Sequence, residues 1–125
     1  MQTTKKVFLP RSNMRVHFND NSKTITIDTP AGNSVVLDEQ GTKIEIQDQN
    51  SNKISMDSNG IMVYSPKDLE IKADGDIKIS AGLKLEIAAK KLTMSSDTNM
   101  KLSAALTKVE SSGVTEISGS MVKIN

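Results

Sequence analysis

An apolar residue, a charged residue and an apolar residue recur three times within residues 68–91, DLEIKADGDIKISAGLKLEIAAKK, as Leu69-Glu70-Ile71, Ile77-Lys78-Ile79 and Leu85-Glu86-Ile87. The triplets sit eight residues apart. The pattern extends along most of the chain. Apolar–x–apolar pairs occur at Ile25/Ile27, Val35/Leu37, Ile44/Ile46, Ile54/Met56 and Ile61/Val63. They continue at 69/71, 77/79, 85/87, Leu92/Met94, Met100/Leu102, Leu106 or Thr107 with Val109, Thr115/Ile117 and Val122/Ile124. From 69 to 122 is 53 residues in seven steps, about 7.6 per step; upstream the steps are mostly nine or ten. Two-residue alternation is the signature of a strand. About thirteen strands of roughly four residues are expected, with one more at Met14, Val16 and Phe18.

The segments between the pairs are rich in turn formers, among them PAGN at 30–33, DEQG at 38–41, DSNG at 57–60, ADG at 73–75, SAG at 80–82, SSG at 111–113 and SGS at 118–120. Gly, Asn and Asp tolerate the left-handed backbone that sharp corners use. Asp28, Asp38, Asp48 and Asp57 follow strands and are expected to cap corner amides. A helical signal competes at LEIAAKKLTM and KLSAALTKVE, whose Leu and Ala residues share one helical face. The seven-to-eight step runs through both in register, which favours strands.

The core such strands can fill is narrow. Of 125 residues only Phe8, Phe18 and Tyr64 are aromatic, and all precede residue 65. The chain has 16 basic and 15 acidic residues with interspersed signs, so no nucleic-acid partner is indicated. It has no cysteine, hence no disulfide framework or thiolate metal site. No apolar run suits a membrane span, and MQTTKKVFLPRSN lacks a signal-peptide core; export, if it occurs, would need a separate machine.

A four-residue strand that offers two inward side chains cannot stand alone. It must stack on strands above and below, about 4.8 Å away. Two arrangements satisfy this. One chain can coil alone, with three units per turn. Alternatively, three identical chains can wrap one axis, each supplying one side of a triangle per layer. The second gives the thin apolar pairs a shared core and is preferred. The expected inward residues are Ile25, Ile27, Val35, Leu37, Ile44, Ile46, Ile54, Met56, Leu69, Ile71, Ile77, Ile79, Leu85, Ile87, Leu92, Met94, Met100, Leu102, Val109 and Ile117. Between them, Glu70, Lys78, Glu86, Lys101, Lys108, Glu116 and Lys123 face water, and opposite charges in adjacent layers can pair. Thirteen layers would make a rod on the order of 60 Å long.

Residues 23–82 carry the phrases I-x-I-D-x-x-x-G, at Ile25–Gly32, and D-G-D-I-x-I-x-A-G, at Asp74–Gly82. In these phrases the chain resembles the C-terminal needle of valine–glycine-repeat (VgrG) spikes of type VI secretion systems, and the central spikes of contractile phage tails. The resemblance implies an all-β fold, an intertwined homotrimeric triple-stranded β-helix (a β-prism needle) with strands repeating every 7–10 residues. It implies a structural, membrane-piercing role with no catalysis and no cofactor. Residues 1–22 then read as a join or collar remnant, 23–68 as an upper β-helix with longer repeats, and 69–125 as a regular needle; an excised needle is the expected form. The implied partners are two further copies, a tail tube or hub on the N-terminal side, transiently a target membrane, and a conical PAAR-type cap protein. The cap would dock on the blunt tip, Met121, Val122, Lys123, Ile124 and Asn125. Assembly would take place in the cytoplasm, followed by export or packaging in a virion, with action at a target cell envelope.

The other functional readings are a monomeric β-solenoid adhesin or carbohydrate-binding module, and a polysaccharide lyase on a right-handed coil. Sugar binding favours aromatic platforms, which are absent after Tyr64. A lyase would need clustered Lys, Arg and Asp. His17 is the only histidine; MRVHF places it opposite Met14, Val16 and Phe18, as an outward side chain rather than a metal ligand. Ser, Asp and His form no triad-like set.

Overall fold

A computed structural model describes residues 5–8 and 11–125. The expectation of a join or collar over 1–22 therefore falls partly, at residues 1–4, 9 and 10, outside the described residues. The chain divides into two units, Met1–Lys78 and Ile79–Asn125. All regular structure is β, and among the described residues there is no helix. The helical signal at 85–94 and 101–110 is overridden by the extended repeat.

Unit one contains a seven-stranded sheet: β1 (Lys5–Phe8), β2 (Arg15–Asn19), β3 (Thr24–Asp28), β4 (Ser34–Asp38), β5 (Lys43–Gln47), β6 (Lys53–Asp57) and β7 (Gly60–Tyr64). Strand order equals sequence order, and every neighbouring pair is antiparallel. The sheet is thus a meander of hairpins within one chain. The turn at 20–23 lies inside it, so β2 belongs to the same sheet as the strands from 24 onward. This differs from the expectation that the chain moves to a new side of a prism at each corner from residue 23. Over 15–64 it reverses instead.

The reversals have a clear local cause. Among the described residues, each of the six reversals has one residue with positive φ in its turn or at the start of the next strand: Asn13, Lys23, Gly32, Thr42, Ser51 and Gly60. They are nine or ten residues apart, the step seen in this half of the sequence. Five-residue strands plus four- or five-residue turns account for that step as far as β6; the β6–β7 turn has two residues and its strands step by seven. Asp38, Asp48 and Asp57 cap turn amides as expected. Gly41 N–H donates to Asp38 Oδ1 at 2.8 Å, Asn50 and Asn52 N–H donate to Asp48 Oδ1 at 2.8 and 2.9 Å, and Asn59 N–H donates to Asp57 Oδ1 at 2.8 Å. A Cβ on Gly41 would collide with the Asp38 carboxylate. Asp28 departs from the expectation: its oxygens accept from Arg15 Nε and Nη2 at 3.0 and 2.8 Å.

Turns at the same end of the sheet brace one another. Asn33 Oδ1 of the β3–β4 turn accepts from Gln49 N–H of the β5–β6 turn at 2.9 Å. At the opposite end, Gln40 Nε2 donates to the Asn21 carbonyl at 2.8 Å and Glu39 N–H donates to the Lys23 carbonyl at 3.1 Å.

From Ser65 to Asn125 the backbone is extended between bends at 66–67, 74–75, 82–83, 90–91, 97–98, 105–106, 112–113 and 120. The bends fall seven or eight residues apart, in step with the apolar pairs. None of the described residues after Gly60 has left-handed backbone. The expectation of left-handed corners at Gly75, Gly82, Gly113 and Gly119 is therefore corrected: the chain turns here without reversing. The residue just before each bend is small in every case: Ser65, Ala73, Ala81, Ala89, Ser96, Ala104, Ser111 and Gly119. Three of these serines clasp the corner. Ser65, Ser96 and Ser111 donate from Oγ to the carbonyls of Asp68, Asn99 and Val114 at 2.9, 2.7 and 3.3 Å. The expected strands at 69–124 are extended segments without a ladder partner inside the chain, among the described residues.

A candidate assembly surface

Alternation puts Val16 and Phe18 on one side of β2 and Arg15, His17 and Asn19 on the other. The register carries this through the sheet, because directly opposed residues share a face. One rank runs Phe18–Ile25–Leu37–Ile44–Met56–Ile61, and a second runs Val16–Ile27–Val35–Ile46–Ile54–Val63. Twelve apolar side chains from six strands thus form one continuous face. All eight inward candidates before residue 65 lie in it. Val16, Phe18, Ile61 and Val63 complete the two ranks. Their alternation was visible in sequence, but only the register shows that they lie in line with the other eight.

Among the described residues none is buried. Ile27, Leu37, Ile44, Ile46 and Ile54 are 39–46% exposed and Ile61 73%. At one end Ile25, Leu37, Ile44 and Met56 floor an open groove of about 540 Å³, with Lys23, Asp38, Glu39, Thr42, Lys43 and Asp57 around them.

The opposite face of the sheet is mostly polar, interrupted by Val36, Met62 and Tyr64. Arg15 and Asp28 form a two-pronged ion pair across β2 and β3, and Lys53 Nζ lies 3.4 Å from Glu45 Oε2. The Arg15 hydrogen bonds hold the Asp28 carboxyl below the usual carboxylate range, reinforced by the charges of Arg15 and His17. Asp48 is likewise held low, first by Asn52 Nδ2, 2.8 Å away, and then by the Asn52 and Asn50 amides. His17 lies on this polar face opposite Thr26, as its alternation requires. Met14 precedes β2 and is 46% exposed.

In residues 65–125 the structure places the two members of each pair on one side of an extended segment. Leu69, Ile71, Ile77, Ile79, Leu85, Ile87, Leu92, Met94, Met100, Leu102, Val109 and Ile117 are all between 47 and 74% exposed. At the end of the chain Met121 and Ile124 are 85 and 88% exposed and Val122 50%, with Lys123 between them. The intervening charges pair along their own segment, Glu70 with Lys72 at 3.5 Å, and Lys84 with Glu86 and Lys108 with Glu110 at 2.6 Å. Such exposed pairs contribute at most about 1 kcal/mol each.

The small residue before each bend is the feature the sequence reading passed over. Its signal was present, a Ser, Ala or Gly four residues before the first apolar member of the eight-residue units. It was hidden among the Gly and Asn of the turns.

Chemically, the arrangement offers apolar surface and unpaired extended backbone. Among the described residues no three His, Asp or Glu side chains cluster as metal ligands would. Comparison of the chain with protein-family models and with curated proteins gave no match to either.

Proposed function

We propose that this chain is one third of a homotrimeric β-helical needle, a structural spike that a contractile injection machine drives through a target envelope. The observation that carries the reading is the stretch from Ser65 to Asn125. It is extended, it bends every seven or eight residues, it presents an apolar pair on each segment, and its backbone has no strand partner within the chain among the described residues. Extended backbone without a ladder, flanked by exposed Ile and Leu, gains both hydrogen bonds and burial when other chains supply them.

A lone coil with three units per turn would lay each segment on the third one after it, 85/87 against 107/109, within one chain. Within Ile79–Asn125 no such pairing occurs. In a threefold wrap, each segment instead lies against the next segment of another copy. The sequence resemblance to secretion and phage-tail spikes supplies the biological setting: a hub or tube on the N-terminal side, a conical cap on Met121–Asn125, and a rod whose stiffness comes from layer-to-layer hydrogen bonds.

Light scattering should give three times the 13.5 kDa chain mass; a monomer removes the trimer. Because the chain has no cysteine, paired substitutions distinguish the two windings. Glu70→Cys with Lys78→Cys should cross-link between chains into a covalent trimer on oxidation. Glu70→Cys with Thr93→Cys should cross-link within one chain only if the coil is solitary. For the tip, a chain shortened by residues 119–125 should lose affinity for a conical cap protein, and unchanged affinity would refute docking there.

A further inference from the structure

We infer that the two-ranked apolar face of β2–β7 is a seam between copies of this chain that closes before residues 65–125 pair, and that it sets the register in which the repeats then stack. The inference rests on the trimeric reading above and adds an order of events to it.

The first observation is locality. Every partner in β2–β7 lies one turn of two to five residues away in the same chain. Short loops close at low entropic cost, and hairpins form in about 1–10 μs. Each copy can therefore form its sheet before it meets another. The segments after residue 64 have no such local partners. Their ladder must come from other chains, and the Ala-, Leu- and Lys-rich stretches at 85–92 and 102–109 have helical propensity that opposes an extended state until it does.

The second observation is that a sheet formed alone leaves its apolar face open. At about 60–120 Å² per apolar side chain, covering the exposed fractions of the twelve removes on the order of 200–600 Å² per copy. A standard interface buries about 800 Å² per partner. The occupant that fits is the same face of another copy. The groove around Ile25 and Ile44 carries both signs of charge, with Lys23 and Lys43 beside Asp38 and Glu39. Identical surfaces can then meet without like charges being forced together. The apolar alternation also continues directly into the pair at Leu69 and Ile71.

The third observation concerns register. The repeat is nearly degenerate: a slip by one segment still sets Ile and Leu against Ile and Leu, so stacking alone specifies register weakly. The sheet face is not degenerate. Its ranks carry Phe18 at one end and braced turns at both edges. A seam formed there fixes how the three chains are staggered before the repeat zips.

The test uses the full chain, unfolded in denaturant and refolded by dilution at several concentrations, with mass followed by light scattering and strand content by circular dichroism. Ile46→Val should slow refolding by about two- to tenfold, and Ile117→Val should leave refolding unchanged while speeding unfolding. Slowing by Ile117→Val, or any result other than slowing confined to the sheet variant, overturns the inference. The register is read with the Glu70→Cys, Lys78→Cys pair. Its cross-link should disappear when Ile46→Asp is added and persist with Ile117→Asp; persistence in both overturns the register claim. A chain monomeric at every concentration would instead remove the trimer itself, whereas a trimer with the opposite kinetics removes only the seam.

Discussion

Residues 15–64 and residues 65–125 use the same strand pattern and turn it in two different ways. In the first region each reversal has one residue with positive φ, and the chain folds back on itself. In the second there is none among the described residues; a small residue precedes each bend, and the chain changes direction without returning. A left-handed residue makes a reversal possible, and a reversal lets a strand find its partner in its own chain. Where it is missing, the extended segments find no such partner in their own chain among the described residues. One backbone feature therefore separates a region whose strands pair within the chain from one whose extended segments have no ladder partner there among the described residues.

The largest expected effect breaks the second region at its shared core. Ile87→Asp would place three carboxylates where the threefold reading puts the axis, at a cost of several kcal/mol per buried ion. The trimer should dissociate at micromolar concentration by sedimentation. Glu86→Gln, one residue away and outward, should cost less than about 1 kcal/mol. Equal effects at the two positions would mean that the segment has no inward side.

Glycines sharpen the contrast between reversal and bend. Gly60 opens β7 with φ near +124°, so Gly60→Ala should destabilise by about 1–2 kcal/mol. A Cβ on Gly75 meets nothing within 4 Å, and its φ lies outside the left-handed range. Gly75→Ala should therefore be neutral or stabilise by up to about 1 kcal/mol, through the unfolded chain. Denaturant midpoints read both. If Gly75→Ala costs as much as Gly60→Ala, the bends are as strained as the turns and the distinction fails.

Much of this was legible in the sequence, for a physical reason. Alternation decides which side of a strand a residue takes whatever its partner is. Ile25 with Ile27 and Ile44 with Ile46 therefore fall on one face, as their spacing requires, and His17 falls on the other. The direction of each turn was not legible. Gly, Asn and Asp occur in both kinds of corner, and composition does not reveal whether φ at Gly60 differs from φ at Gly75. Step length held the clue. Nine or ten residues accommodate a five-residue strand and a four- or five-residue reversing turn, but the clue fails at β6–β7, where a step of seven still reverses through a two-residue turn because Gly60 supplies positive φ. β1 was not foreseen, because Lys5–Phe8 has no apolar–x–apolar pair within it. The capping role assigned to Asp28 gave way to Arg15, which the β2–β3 register places directly opposite and which a reading along the chain cannot see.

Corner clasps should give smaller effects. Ser65→Ala, Ser96→Ala and Ser111→Ala each remove an exposed hydroxyl bridge across a bend. Each should cost about 0.5–1 kcal/mol. Asp48→Ala, which removes the acceptor for several turn donors, should cost more than any one of them. A serine variant costlier than Asp48→Ala would show the bends to be the more tightly specified corners.

The smallest effect is a difference in acid sensitivity. Asp28 and Asp48 both lie in the hairpin region, and hydrogen bonds to their charged forms lower both pKa values. A carboxyl whose folded pKa is depressed contributes stability above its unfolded value, and that contribution is lost as pH falls through the folded one. The sheet should therefore begin to weaken below about pH 4. The loss should be complete only once the pH is below the depressed values. Asp28→Asn and Asp48→Asn should each flatten this acid limb in a denaturant series and leave the neutral plateau only slightly lower. Both carboxyls are exposed, so screening keeps the change small, and added salt should shrink the Arg15–Asp28 part further. The Asp48 part should persist in salt, because neutral Asn and backbone donors make it. An acid limb unchanged in both variants would mean that neither carboxylate is tied to the fold, and that the turns are held by backbone geometry alone.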